Sequence, residues 1–337
     1  MSHWQLLDAD HDLYERTVAP LLPERIFDAH VHLYRHAHYG QAGPPPLFAA
    51  TPAEVGAERF AEDIAWLHGA GRTTGALCFG LAFTGEREAN DTYVAAETAA
   101  GRERGLAALP QLIVAPDDDP ELVRERVRRG GFVGLKPYHT LAKLDGPTWQ
   151  APLEEYFPEA LARVAHEEGL SVTVHLVRDR ALADPANQAT LRHYCERYPN
   201  MRLILAHAGR GFNPWHTIEG VGALAGLGNL WFDTSAVTEA GGFEAIVETF
   251  GHGRLLYGSD FPISHLRGRC VAIGDSFHWL YADGATLEER HADLRPALVG
   301  LESLRALALA CRRLRLSDSQ IEDIFYGNAA QLFNLGR

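Results

Sequence analysis

The sequence predicts an α/β protein of the TIM type, a (β/α)8 barrel with long strand-to-helix loops and a helical C-terminal extension. Three observations carry that prediction. Short apolar runs alternate with helix-like stretches eight times between residues 26 and 262. Runs such as "MRLILA" and "GRLLYG" are apolar at consecutive positions, as parallel strands covered by helices require. Polar residues able to do chemistry follow these runs directly, and one rim of a barrel is where function sits. An open doubly wound sheet is the competing arrangement, but no glycine-rich dinucleotide loop follows the first strand.

The elements follow in order. "RIFDAHVHLY" is a strand with a polar end, and residues 35–56, full of breakers, form a long loop. Residues 57–69 have helical periodicity, 73–80 are the second strand, and a helix begins at Asn90, a candidate cap. "GLAALPQLIV" is the third strand, with a helix over about 120–129, and "GFVGLKPY" is the fourth. "LSVTVHL", "NMRLILAHAG", "NLWFDTSA" and "GRLLYGSDFP" complete the set, separated by helical stretches. The last quarter is mostly helical, with Ser317 a candidate cap. No repeat or linker interrupts the chain. One domain is expected over 1–337, with the barrel at about 26–260 and the extension at about 290–335.

Composition narrows the function classes. The chain has 337 residues, 46% hydrophobic and 22% charged, as in an ordinary globular protein. A net charge of −13 argues against a broad nucleic-acid footprint. Cys78, Cys195, Cys270 and Cys311 form no close pair, which fits a reducing compartment. The N-terminus carries charges where a signal peptide needs an apolar stretch. No apolar run approaches the ~20 residues that cross a bilayer. A cytoplasmic, non-membrane protein is expected.

At the strand exits stand His30 and His32, Lys136, His175, His207 and Asp260. On a strand, residues i and i+2 point the same way, so His30 and His32 are aimed together. A closed barrel would gather the whole set at one mouth, and four imidazoles with a carboxylate suit a zinc-like divalent ion. A lone histidine in a chain with 17 of them means little; the joint pattern carries the weight. His68, His166, His193 and His291 lie in helical or hydrophilic contexts and read as surface residues. Arg178 and Arg210, just beyond two of the histidines, could grip a carboxylate bidentately. Trp149, Trp215, Phe212 and Tyr138 could wall an aromatic ring. Insertions at 35–56, 139–153 and 262–291 would roof a pocket for a small molecule.

These residues also carry a resemblance. "FDAHVHL", "HL" at 175, "LAHAG" at 207, "LLYGSDFP" and the terminal "IEDIFYGNAAQLFNL" are similar to the metal-dependent amidohydrolase superfamily. The likeness is greatest to its amidohydrolase-related branch, which holds hydrolases, aromatic-acid decarboxylases and some hydratases. The resemblance implies that His30 and His32 ligate the more buried metal and that His175 is a further ligand, bridging toward a second ion when one is bound. It implies that His207 is a second-metal ligand or orients water or substrate, and that Asp260 ligates the metal and shuttles the proton. At the place of Lys136 the binuclear branches carry a lysine carbamate that bridges two metals. Lys136 could instead pair with a substrate carboxylate, or be structural. His139 is a looser candidate for the same pocket. One or two divalent ions are expected, zinc first, with manganese, iron or cobalt as alternatives.

The expected activity is hydrolysis of a small carboxylated or cyclic amide, lactone or ester by a metal-activated water. The alternative is decarboxylation or hydration of a small aromatic or unsaturated acid. A non-catalytic metal-binding barrel is the third reading. The resemblance leaves a homo-oligomer open.

Overall fold

A computed structural model describes residues 4–81, 85–282 and 296–336. Eight strands form one parallel sheet in chain order: β1 Ile26–His32, β2 Thr73–Phe79, β3 Ala107–Val114, β4 Gly134–Pro137, β5 Ser171–Val174, β6 Arg202–Leu205, β7 Leu230–Asp233 and β8 Leu255–Leu256. Every predicted strand is present, each shorter than its apolar run. β8 has only two residues, yet the sheet closes beyond it. Ala29 N–H donates to Tyr257 O (2.8 Å), His32 N–H to Phe261 O (2.9 Å) and Asp260 N–H to His30 O (3.0 Å). Asp260 is thereby brought beside the two histidines of β1.

The helices begin where the sequence supplies a cap. Asp119–Pro120, Asp184–Pro185 and Asn213–Pro214 each place an Asx side chain on the N–H groups of the first turn and proline at N1, where its missing N–H costs nothing. They start the helices Pro120–Gly130, Pro185–Arg197 and Pro214–Gly220. Ser317 caps Asp318–Glu322 through a capping box with Gln320, as predicted. Asn90 caps nothing: its helix runs Arg87–Glu103. Asn90 is buried inside that helix, with Oδ1 3.2 Å from His38 Nδ1. A tertiary partner in the preceding loop overrides the local capping preference.

The extension, Val299–Leu314 followed by 318–333, is bound to the barrel by hydrogen bonds. Ser303 Oγ–H donates to Thr234 O (3.2 Å), and Asn328 Nδ2–H donates to Leu255 O and His252 O (both 2.8 Å). The insertion after β8 is not only loop. Gly268–Ile273 (β9) and Ser276–Tyr281 (β10) form an antiparallel hairpin, whose alternation turns Phe277 and Trp279 toward Phe212 (ring centroids 5.2 and 5.3 Å). Among the described residues no helix is long and apolar enough to cross a membrane.

Candidate metal centre

β1 delivers His30 and His32 to the same side, and both rings meet the edge or face of Phe79 at the end of β2 (4.8 and 5.0 Å between centroids). Each imidazole spends Nδ1 on a partner that can only accept. His30 Nδ1–H donates to Asp233 Oδ2 (2.9 Å) and His32 Nδ1–H to Gly80 O (3.1 Å). That choice leaves both Nε2 lone pairs facing Asp260 Oδ1, at 3.4 and 3.2 Å. With neutral rings in that tautomer the three atoms converge as acceptors, a contact that a proton on one imidazole or a divalent ion in its place resolves. Two ligands ~2.1 Å from a tetrahedral ion lie ~3.4 Å apart, which matches the spacing seen. His30, His32 and Asp260 fit a divalent ion.

Electrostatics agrees with that reading. Burial pushes His30 down to about 3, against the pull of Asp233, so the ring is neutral and able to ligate. Burial alone would raise the Asp260 carboxyl. A proton shared with His32 and the surrounding imidazoles of His207 and His30 outweigh it in the ion-free cluster and hold Asp260 well below the usual carboxylate range. Asp260 sits at φ +62°, and Arg178, His207, Ala208 and Arg210 are also left-handed. Such conformations cost energy and persist where the surrounding structure holds them.

A second group of possible ligands, His30, His207 and Asp233, shares His30 with the first. Its atoms already satisfy one another. Asp233 Oδ1 accepts His207 N–H (2.8 Å) and Ser235 N–H (3.1 Å), and its Oδ2 takes the His30 proton. His207 Nδ1–H donates to Ser235 O (2.9 Å) and stands 4.0 Å from Asp260 Oδ2. Sequence reading passed over Asp233 and Ser235. The signal was available in "NLWFDTSA", a polar D-T-S directly after an apolar run.

The other sequence-predicted residues separate into two sets. Lys136 is fully buried, its Nζ lying 4.3 Å from the Phe79 ring centroid and 5.0 Å from that of Tyr138, with no hydrogen-bond partner among the described residues. Burial pushes it down to about 8, while Asp233 and Asp260 pull it back up. Tyr138 is buried and donates to Gly80 O (3.0 Å). His175 lies against His207 and His139 (centroids 4.7 and 5.7 Å) and belongs to neither ligand group. Arg210 and His139 are largely buried, each with an unpartnered ring or guanidinium nitrogen. Arg210 lies over Phe277 and donates to Arg178 O (2.8 Å).

Two candidates fall elsewhere. Arg178 is committed to Asp184 (2.9 Å), the cap of Pro185–Arg197. Trp215 is 58% exposed and lines an outer groove with Ile218 and Leu309. Trp149 is also exposed, whereas Phe212 is buried against His207 (5.1 Å). Of the histidines expected on the surface, His68 is instead fully buried between Thr73 Oγ1 and Tyr257 OH (both 2.7 Å). Its polar neighbours satisfy it in the core, which its helical context concealed. His291 lies outside the described residues.

A parallel barrel with a buried His–His–Asp cluster on the C-terminal rim defines a metal-dependent barrel enzyme. The chain belongs to the amidohydrolase family of the amidohydrolase 2 type, whose pattern matches residues 27–335. It is 29% identical over 182 residues to the L-fucono-1,5-lactonase of Burkholderia ambifaria, a match covering 48% of this chain and 56% of that protein. Its fold is similar to a probable 2-pyrone-4,6-dicarboxylic acid hydrolase from Acinetobacter baumannii, solved with citric acid bound. That likeness has TM-score 0.59 and 15% identity, over 92% of this chain and all of that one. It is also similar to a dihydroxybenzoic acid decarboxylase from Polaromonas sp. JS666, solved with manganese and 2-nitroresorcinol. Here the TM-score is 0.56 and the identity 14%, over 94% of this chain and 98% of that one.

Proposed function

We propose that this protein acts on a small ring acid, gripping its carboxylate beside a divalent ion, and that it releases carbon dioxide from it. The observation that carries the substrate class is Lys136. A buried ammonium between two aromatic faces, with no anion in hydrogen-bond reach among the described residues, is costly unless an anion joins it. Arg210, with an unpartnered Nε, supplies a second cation near His139 and His175. Tyr138 and Phe212, each retaining a little exposed ring, offer flat surface for a ring. The similar fold of a decarboxylase supports lyase chemistry, and the hydrolysis expected from sequence is kept as the second reading.

His30, His32 and Asp260 would hold the ion; zinc and manganese both suit nitrogen and oxygen ligands. When bound, such an ion supplies Lewis acidity that polarises a substrate oxygen. Asp260, ionised in the free enzyme, takes a proton from a ring hydroxyl and returns it to the carbon that loses carbon dioxide. Lys136 and Arg210 hold the acid, and Phe79 backs the imidazoles of His30 and His32. The two aromatic faces favour Lys136 as an ammonium over a carbamate; intact mass spectrometry in bicarbonate, with no added carbon dioxide on the chain, is the expected result.

Lactone hydrolysis is the second reading. It is favoured by the ionised carboxylate of Asp260, which suits a base acting on water, and by the lactonase and pyrone hydrolase similarities. Turnover of hydroxybenzoic acids and cyclic lactones in 18O-labelled water separates the two. Carbon dioxide with an unlabelled ring product supports the lyase reading. Label in a new carboxylate overturns it in favour of hydrolysis.

A further inference from the structure

Asp233 closes β7 and is fully buried, yet three backbone or side-chain donors and one imidazole converge on it. Oδ2 accepts from His30 Nδ1–H at 2.9 Å. Oδ1 accepts from the backbone N–H of His207 (2.8 Å), from the backbone N–H of Ser235 (3.1 Å) and from Ser235 Oγ–H. His207 opens a left-handed turn, with φ +56° at His207, +53° at Ala208, +73° at Gly209 and +63° at Arg210. Its N–H is the group that Asp233 fastens. Ser235 then meets the His207 ring through its carbonyl and its hydroxyl, each 2.9 Å from Nδ1.

One carboxylate therefore touches the first-strand histidine on one side and the strained sixth-strand turn on the other. We infer that Asp233, braced by Ser235, is a positioning residue: it locks His30 with Nε2 toward the ion and aims His207 at the same centre. It does so as a hydrogen-bond acceptor and not as a metal ligand. Its oxygens are already filled by four donors, and His30 has only one nitrogen left to coordinate. The inference rests on the metal-centre reading, and it concerns the outer partners of the ligands, whose loss typically weakens metal binding 10–100-fold.

The test measures ion binding without any substrate. Metal-free full-length protein, titrated with zinc or manganese by calorimetry, is expected to bind one ion per chain. Asp233→Ala is expected to bind one ion about 10–100-fold more weakly. Asp233→Asn is expected to weaken binding as well, because its NH2 must face either the His30 N–H or the backbone N–H groups. Ser235→Ala, which keeps the carboxylate and removes one donor to it, is expected to weaken binding by only about two- to fivefold, a small part of the same effect. In the zinc-loaded wild type, the His30 Nδ1 proton is expected as a slowly exchanging imidazole N–H resonance that Asp233→Ala abolishes.

Wild-type affinity in a folded Asp233→Ala protein would overturn the inference. So would a fall from two ions to one, which would make Asp233 a ligand. If Asp233→Ala does not fold, wild-type affinity in both Asp233→Asn and Ser235→Ala overturns it equally. Absence of turnover on every acid and lactone would sink the proposed reaction and leave these affinities untouched.

Discussion

The two sides of the strand rim satisfy their polar groups in opposite ways. On the side built from β1, β6, β7 and the segment after β8, every imidazole Nδ1 and each oxygen of Asp233 has a partner. What is left over there is a convergence of acceptors, Nε2 of His30, Nε2 of His32 and Oδ1 of Asp260. On the side built from β4, β5 and the turn after β6, Lys136 Nζ and Arg210 Nε have none among the described residues. The first side presents acceptors and the second presents cationic donors. Buried polar groups are rarely left unpaired without a reason. In the proposed reading a divalent ion meets the acceptors beside Asp260, and a substrate acid meets the cations beside Lys136.

Removing the ion should break that contrast most completely. Dialysis against a chelator is expected to abolish turnover, and zinc or manganese to restore it. The metal should also raise the melting temperature by several degrees, since an ion at 100 times its Kd stabilises the fold by about 2.7 kcal/mol. Full activity after chelation would remove the metal centre from the mechanism. Next in size, Asp260→Asn is expected to lower kcat/KM by about 10³-fold with an unchanged circular dichroism spectrum. Near-wild-type rates in that variant would reject Asp260 as the proton carrier.

Lys136→Met sharpens the anionic side. It should raise KM for the acid by about 10–100-fold, the loss of one charge-assisted hydrogen bond, while stabilising the metal-free protein. The sign follows from linkage. The lysine titrates near 10.5 unfolded and about 8 folded, so between those values the unfolded chain binds more protons and stability rises with pH. The full rise is about 3 kcal/mol. Below about 8 both states are protonated and the cost of burying the ammonium is fully present. Denaturant melts across this window should differ between wild type and Lys136→Met by that rise, the buried cysteines and tyrosines contributing equally to both. The smallest effect separates the two arginines: Arg210→Ala should raise KM by roughly tenfold. Arg178→Ala, whose partner is Asp184, should change KM less than about twofold and cost stability through the lost ion pair. Equal effects would erase the distinction drawn between them.

Much of this was legible in the chain. The eight apolar runs and the H-x-H at the end of the first announce a barrel with a reactive rim, because strand burial and alternation act over a few residues. The i, i+2 rule aimed His30 and His32 together before any coordinates. Asp233 was passed over because its role depends on His30, 203 residues away, and on the backbone of His207. Arg178 and Arg210 occupy equivalent places in "HLVR" and "HAGR", and only the nearness of Asp184 tells them apart. Trp215 follows His207 closely in sequence, but the short helix Pro214–Gly220 carries it to the outside.

Sequence alone determined the order of strands, the Asx–Pro starts of three helices and the identity of the ion-facing pair, since each depends on residues close together in the chain. Tertiary structure decided which groups became partners. It closed the sheet across a two-residue β8, set Asp260 3.2 to 3.4 Å from two imidazole nitrogens, and left Lys136 Nζ without a hydrogen-bond partner among the described residues. Those outcomes depend on distances between segments more than a hundred residues apart, and no local pattern encodes them.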